Sequence, residues 1–174
     1  MNFDTTDNGP DIQYAKDNAN TLGLQPGGAY AGRDLSGANL AGLRISKADF
    51  SNANLKGANL CGTVLDEANL EGAVLEQANL ELAVLGGANL RNANCRQANL
   101  KRANLVGVRA EGADFSGADF YYSRPGNGIF ENAVFEGAVV ERAIFRRANL
   151  RNADMRNAVG TANFENADME GVRR

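Results

Sequence analysis

The chain has 174 residues, 44% of them hydrophobic, no Trp, and a net charge of −3 from 18 basic and 21 acidic residues. That length supports one domain with a core plus a short flank, and the balanced charge, without a basic run or tail, offers no footing for tracking phosphates. No stretch reaches the roughly 18 consecutive apolar residues of a membrane-spanning helix, and no secretory signal pattern opens the chain, so the expectation is a cytoplasmic protein without direct nucleic-acid or membrane contact.

In chain order, residues 1–32 do not repeat and are expected to form an N-terminal cap or linker. Within it, residues 11–22 follow Pro10 and are a candidate short helix, marginal because of their Asn content. From Leu35 onward an apolar residue falls at every fifth position, through Leu40, Ile45, Phe50, Leu55 and Leu60 to Leu105, with Cys95 in the same phase. Two places earlier stands a small residue, as Ala53, Ala58 and Ala68, and between the two lies Asn or Asp, as Asn54, Asn59 and Asn69.

A period of five suits neither a long helix nor a long strand. Steps of five rotate by about 140° around an α-helix and scatter the leucines over every face. In a strand an odd period alternates them between faces. If the chain turns once per unit, each Leu points inward, Ala fits the confined space beside it, and Asn, Asp and Gly take the positions whose backbone angles are unusual. Coils then stack and pair their backbones as a parallel sheet does.

The unit Ala-(Asn/Asp)-(Leu/Phe)-x-x resembles the motif of the pentapeptide-repeat family over residues 33–171. The resemblance implies an all-β solenoid, a right-handed quadrilateral β-helix with four units per coil and a length of about 30 Å. Within it, Ala110 takes a Leu position after Val108 and Arg109 and leaves one interior corner underfilled or remodelled. Residues 121–128, Tyr-Tyr-Ser-Arg-Pro-Gly-Asn-Gly, lose the consensus, and their turn chemistry predicts a bulge or loop from the rod wall. Near Val159-Gly160 one residue drops out, and Phe164 and Met169 continue in a shifted register. Residues 172–174 are read as a tail, and the C-terminal coil is a candidate surface for stacking a second copy in a homodimer.

Chemistry is sparse in this pattern. The chain has no His, no CxxC and no phosphate-binding loop, so no catalytic residue, cofactor or metal ligand is assigned. Cys95 occupies an inward position and reads as a small hydrophobe, and Cys61 an outward one. The outer surface carries the information. Asp66, Glu67, Glu71, Glu76 and Glu81 form an acidic band around one coil, and Arg91, Arg96, Lys101, Arg102 and Arg109 a basic one on the next. With four units per coil, residues twenty apart stack, which sets Lys56, Glu76 and Arg96 in one column and Glu71, Arg91 and Glu111 in another. Tyr121, Tyr122, Arg124 and Asn127 complete the candidate interaction surface, because exposed aromatics and Arg anchor interfaces. The reading is a non-enzymatic interaction or scaffold protein with an unidentified protein partner. The alternative implied by the resemblance is a DNA mimic that binds a type II topoisomerase (gyrase) and modulates it or protects it from quinolones. The basic bands argue against that alternative, since mimicry needs a continuous negative surface.

Overall fold

The structure, a computed structural model, describes residues 22–174. The expected helix at 11–22 lies outside them except for its last residue. From Ala29 to Arg173 the chain is a stack of coils in which, as far as Val159, each bridging residue pairs in parallel with one twenty places away, as Asn59 with Asn79 and Asn79 with Asn99. Four such ladders make four faces. The first face holds Asp49, Asn69 and Asn89, the second Asp34, Asn54 and Val74, the third Asn39, Asn59 and Asn79, and the fourth Arg44, Val64 and Val84. The first ladder runs from Ala29 to Asp168, seven coil steps, or about 34 Å at about 4.8 Å per step.

The units share one pattern of bonds. Leu35 N–H donates to the Asn54 carbonyl on the next coil at 2.7 Å, Asn54 N–H donates back to Arg33 at 2.9 Å, and Gly37 N–H donates to Lys56 at 2.8 Å. Within the unit, Ala38 N–H closes a turn on the Leu35 carbonyl at 3.1 Å. Only the second residue of that turn is left-handed, which makes it type II. From Gly27 to Gly171 all of these residues have φ between 54° and 71°. The motif's Asn and Asp are therefore not the left-handed residues, contrary to expectation. They lie in the ladder, and their side chains accept the amide two places on, as Asp49 accepts Ser51 N–H at 3.0 Å. They also bond rung to rung, as Asn69 Nδ2 to Asp49 Oδ1 at 3.0 Å. A left-handed residue other than Gly costs about 1–2 kcal/mol, less for Asn, so Leu82 (φ 59°) and Tyr122 (φ 56°) are held against their preference.

Leucines fill the interior in the middle coils. Further on, phenylalanines replace them, with Phe115, Phe120, Phe130, Phe135 and Phe145 fully buried and in mutual ring contact. The corner at Ala110 is closed by a size exchange, because Val108 takes the usual Ala place and both are buried.

Three expected boundaries change. The solenoid begins before Arg33, since Gly27 N–H already donates to Ser46 at 2.9 Å and Ala29 pairs with Asp49. Residues 172–174 are not a free tail, since Arg173 pairs with Asp154. Residues 121–128 form no bulge or loop. They are two regular units, with Ser123 in the Ala place, Pro125 buried in the Leu place, Gly128 in the next Ala place and Phe130 after it. Gly128 is required there, for a Cβ would lie 2.5 Å from the Phe130 ring. Pro125 has one cost: lacking an N–H, it gives nothing to the Ile144 carbonyl, and the bridge between Arg124 and Ile144 is missing from an otherwise continuous ladder. Near Gly160 the dropped residue is confirmed, as the pairing interval changes from twenty, Val139 with Val159, to nineteen, Ile144 with Asn163.

The last coil is fastened through Asp154, a buried carboxylate with Arg156 at 2.7 Å and Arg173 at 2.9 Å. The hydrogen bond from Arg156, joined by the two positive charges, lowers its pKa to about 2 against the opposing effect of burial. A carboxylate lowered in the folded state contributes stability that is complete above the unfolded value of about 3.9 and is lost as pH falls through the folded one. Urea midpoints measured between pH 7 and pH 2 are expected to fall across the acid limb, and Asp154→Asn should start lower and fall less steeply. Parallel acid limbs would refute this role.

Candidate interaction surface

The corner between the third and fourth faces carries Tyr121 and Tyr122 as the two residues of one turn. Their rings meet edge to face at 4.6 Å and 89°. Tyr121 is half-buried, whereas Tyr122 is 40% exposed. Arg142, one coil on, lies with its guanidinium carbon 5.1 Å from the Tyr122 ring centroid and donates to the Tyr122 hydroxyl. Arg142 is not among the residues expected from the sequence, although the interval of twenty from Tyr122 points to it.

Arg124 follows on the fourth face, exposed in the ladder beside Asn104. Asn127, left-handed at φ 54° and exposed, stands at the far corner of that face. The four predicted residues thus span one face from edge to edge, with the two tyrosines in ring contact. Behind them, the Ser123 hydroxyl is buried without a hydrogen-bond partner.

The acidic candidates do not gather into a patch. Asp66 and Glu67 stand at the fourth corner, and Glu71, Glu76 and Glu81 at the next three in turn. Neighbouring coils answer them: Lys47 approaches Glu67 at 3.6 Å and Lys56 approaches Glu76 at 3.1 Å. Asn89 and Asn99 donate to Glu71 and Glu81 at 3.0 and 3.4 Å. Of the expected columns, Lys56 with Glu76 and Arg91 with Glu111 (2.5 Å) form, while Arg96 turns to Asp114 at 3.0 Å. These pairs are exposed or half-exposed and each contributes little.

Burial pushes the Cys95 thiol far above its ordinary range, and Cys61 is half-buried. Among the described residues no group of three His, Cys, Asp or Glu could hold a metal ion, and no helix is long and apolar enough to cross a membrane. The last coil holds a cleft of 360 Å³, where Gly160 stands in the interior position and Val140, Met155 and Phe164 form the walls.

The model of pentapeptide repeats matches eight copies, over residues 34–62, 44–81, 83–120 and 129–159. The chain belongs to the pentapeptide-repeat family. Its fold is accordingly the right-handed quadrilateral β-helix, and the unmatched stretch 121–128 coincides with the two atypical units. Among solved structures, QnrB1 at full length, a plasmid-mediated fluoroquinolone resistance protein, is 21% identical over 83% of this chain and 90% of its own, with a TM-score of 0.67. HetL, involved in heterocyst differentiation regulation in the cyanobacterium Nostoc sp. strain PCC 7120, is 26% identical over 83% and 71%, with a TM-score of 0.49. A further pentapeptide-repeat protein of Nostoc, alr5209, is 36% identical over 62% and 79%, with a TM-score of 0.42. No curated protein matches the chain in sequence.

A buried hydroxyl without a partner is destabilising relative to a methyl group. Ser123→Ala is therefore expected to raise stability by about 1 kcal/mol, read from the denaturant midpoint, and a lower midpoint would show that the hydroxyl is bonded after all.

Proposed function

We propose that this chain is a non-enzymatic interaction or scaffold protein whose rigid coil stack presents Tyr121, Tyr122 and Arg124 to a protein partner. The observation that carries the reading is Tyr122, a bulky residue kept in a left-handed turn, 40% exposed and stacked with Arg142. Strain of this kind persists where the surrounding structure over-determines it, and it gathers at functional positions. An aromatic ring and guanidinium already held in place lose little entropy on binding.

Charge supports this reading over duplex mimicry. Asp4, Asp7, Asp11 and Asp17 against Lys16 account for the whole net charge of −3, so the rod from Leu22 onward is neutral. A surface that replaces phosphates needs sustained negative potential.

Affinity capture with the wild type and with Tyr121→Ala/Tyr122→Ala/Arg124→Ala tests the proposal. The variant is expected to lose the main partner, and identical partner lists would remove this surface from consideration. Stoichiometric protein is expected to change neither the rate nor the drug sensitivity of gyrase supercoiling. A clear change in either would favour the topoisomerase reading.

A further inference from the structure

The fourth face departs from the other three. Each of those contains a run of Asn and Asp bonded from rung to rung, such as Asn89 to Asn69, Asn54 to Asp34 and Asn99 to Asn79. The fourth ladder reads Arg44, Val64, Val84, Asn104, Arg124, Ile144 and Asn163, with no bond of that kind among the described residues. Nothing in the coil geometry demands the difference, since the backbone bonds of Val64 and Val84 match those of Asn59 and Asn79.

Its charges differ as well. On the other faces most cations reach an acid of their own or the next coil, as Lys56, Arg91, Arg96 and Arg156 do. On the fourth face and its corners Lys47, Lys101, Arg142 and Arg146 are paired, but Arg44, Arg102, Arg124 and Arg147 make no ion pair. Elsewhere among the described residues Arg33, Arg109 and Arg174 share that condition, and Arg33 lies over the Tyr30 ring.

The edge shared with the third face adds a third difference. Its left-handed position holds Gly42 and Gly62 on the early coils, then Leu82, Arg102, Tyr122 and Arg142 on four successive ones. Glycine would be the least strained residue at each. Side chains were retained there against the backbone, in a row that walls one side of the face. On the opposite side Gly87 and Gly107 leave it open.

We propose that the fourth face is a docking surface for an acidic amphipathic α-helix of a partner protein, laid along the rod axis. The apolar part is Leu82 (50% exposed), Val84 and Val106 (37% exposed). Further along, Arg102, Arg124 and Arg147 supply unneutralised charge for its carboxylates. A helix fits because its pitch of about 5.4 Å is close to the coil spacing of about 4.8 Å, so side chains one turn apart meet successive rungs. This assignment rests on the interaction-protein reading and specifies its partner.

The test uses the full chain and two synthetic amphipathic helices of about 18 residues, one carrying Glu and one Lys beside the same Leu stripe, with binding followed by fluorescence anisotropy. The Glu peptide is expected to bind, more weakly as salt rises, and the Lys peptide not to bind. Arg102→Glu/Arg124→Glu/Arg147→Glu should weaken the Glu peptide by about tenfold or more, and Arg109→Glu on the first face should leave it unchanged. Leu82→Gly/Tyr122→Gly should raise the thermal midpoint while weakening binding, which separates lost contacts from lost fold. Equal binding of both peptides, no binding of the Glu peptide, or wild-type affinity in the fourth-face variants would overturn the proposal. If those results appear while Tyr121→Ala/Tyr122→Ala/Arg124→Ala still loses its captured partner, only the acidic-helix assignment falls. If capture is also unaffected, the interaction reading falls with it.

Discussion

Order in this rod follows from one kind of bond, the amide of an interior residue donating to a carbonyl on the next coil, as Leu60 does to Asn79 at 2.7 Å. To bring that amide into line at every unit, the chain must reverse through a turn whose second residue is left-handed. Beside the reversal, the residue before the ladder turns inward and is usually small, as Ala58, Ala68 and Ala78 are, fully buried beside their leucines. Core composition, corner spacing and the outward direction of the ladder side chains are consequences of that bond. Stability of such a stack is shared between neighbouring coils and does not concentrate in one centre.

Two currencies of variation remain once the backbone is satisfied. Most ladder side chains can change without disturbing the ladder, because they point outward and its backbone bonds do not depend on them. Left-handed corner residues can change only against strain, unless they are Gly or, at less cost, Asn. Arg124 and Val84 belong to the first kind, Leu82 and Tyr122 to the second. A side chain of the second kind is the more informative about function, because its presence is opposed by the local conformation.

The period of five made the coil legible, since only a chain that turns once per unit can bury every Leu. Pairing across twenty residues then made the Lys56–Glu76 and Arg91–Glu111 contacts legible too. Two readings failed for a shared reason. Pro125, Gly126 and Gly128 signal a loop in ordinary sheet proteins, but here a turn already occurs in every unit, so turn residues carry no news of an exception. The unchanged phase of Phe130 was the better guide, because an inserted loop adds residues. Likewise Asn and Asp favour turns, yet the turn already belongs to the two variable residues that follow. Arg142 beside Tyr122 was within reach of the same arithmetic, whereas the split of the acidic band over separate corners and the size exchange of Val108 with Ala110 needed the three-dimensional path.

Gly160 shows how such an architecture absorbs a change of length. With φ at 101° and the Glu141 backbone only 2.6 Å from where a Cβ would stand, it cuts across a corner that other coils round with one more residue. Past it, Asn163, Asp168 and Arg173 return to the same ladders as Ile144, Asn149 and Asp154. In an α-helix one deleted residue turns everything downstream by about 100°, and in a strand it exchanges inside for outside. Here the error is confined to a single bend, and the faces beyond keep their alignment. Lineages of such rods can therefore lose or gain residues at corners while the message written along each side stays in frame.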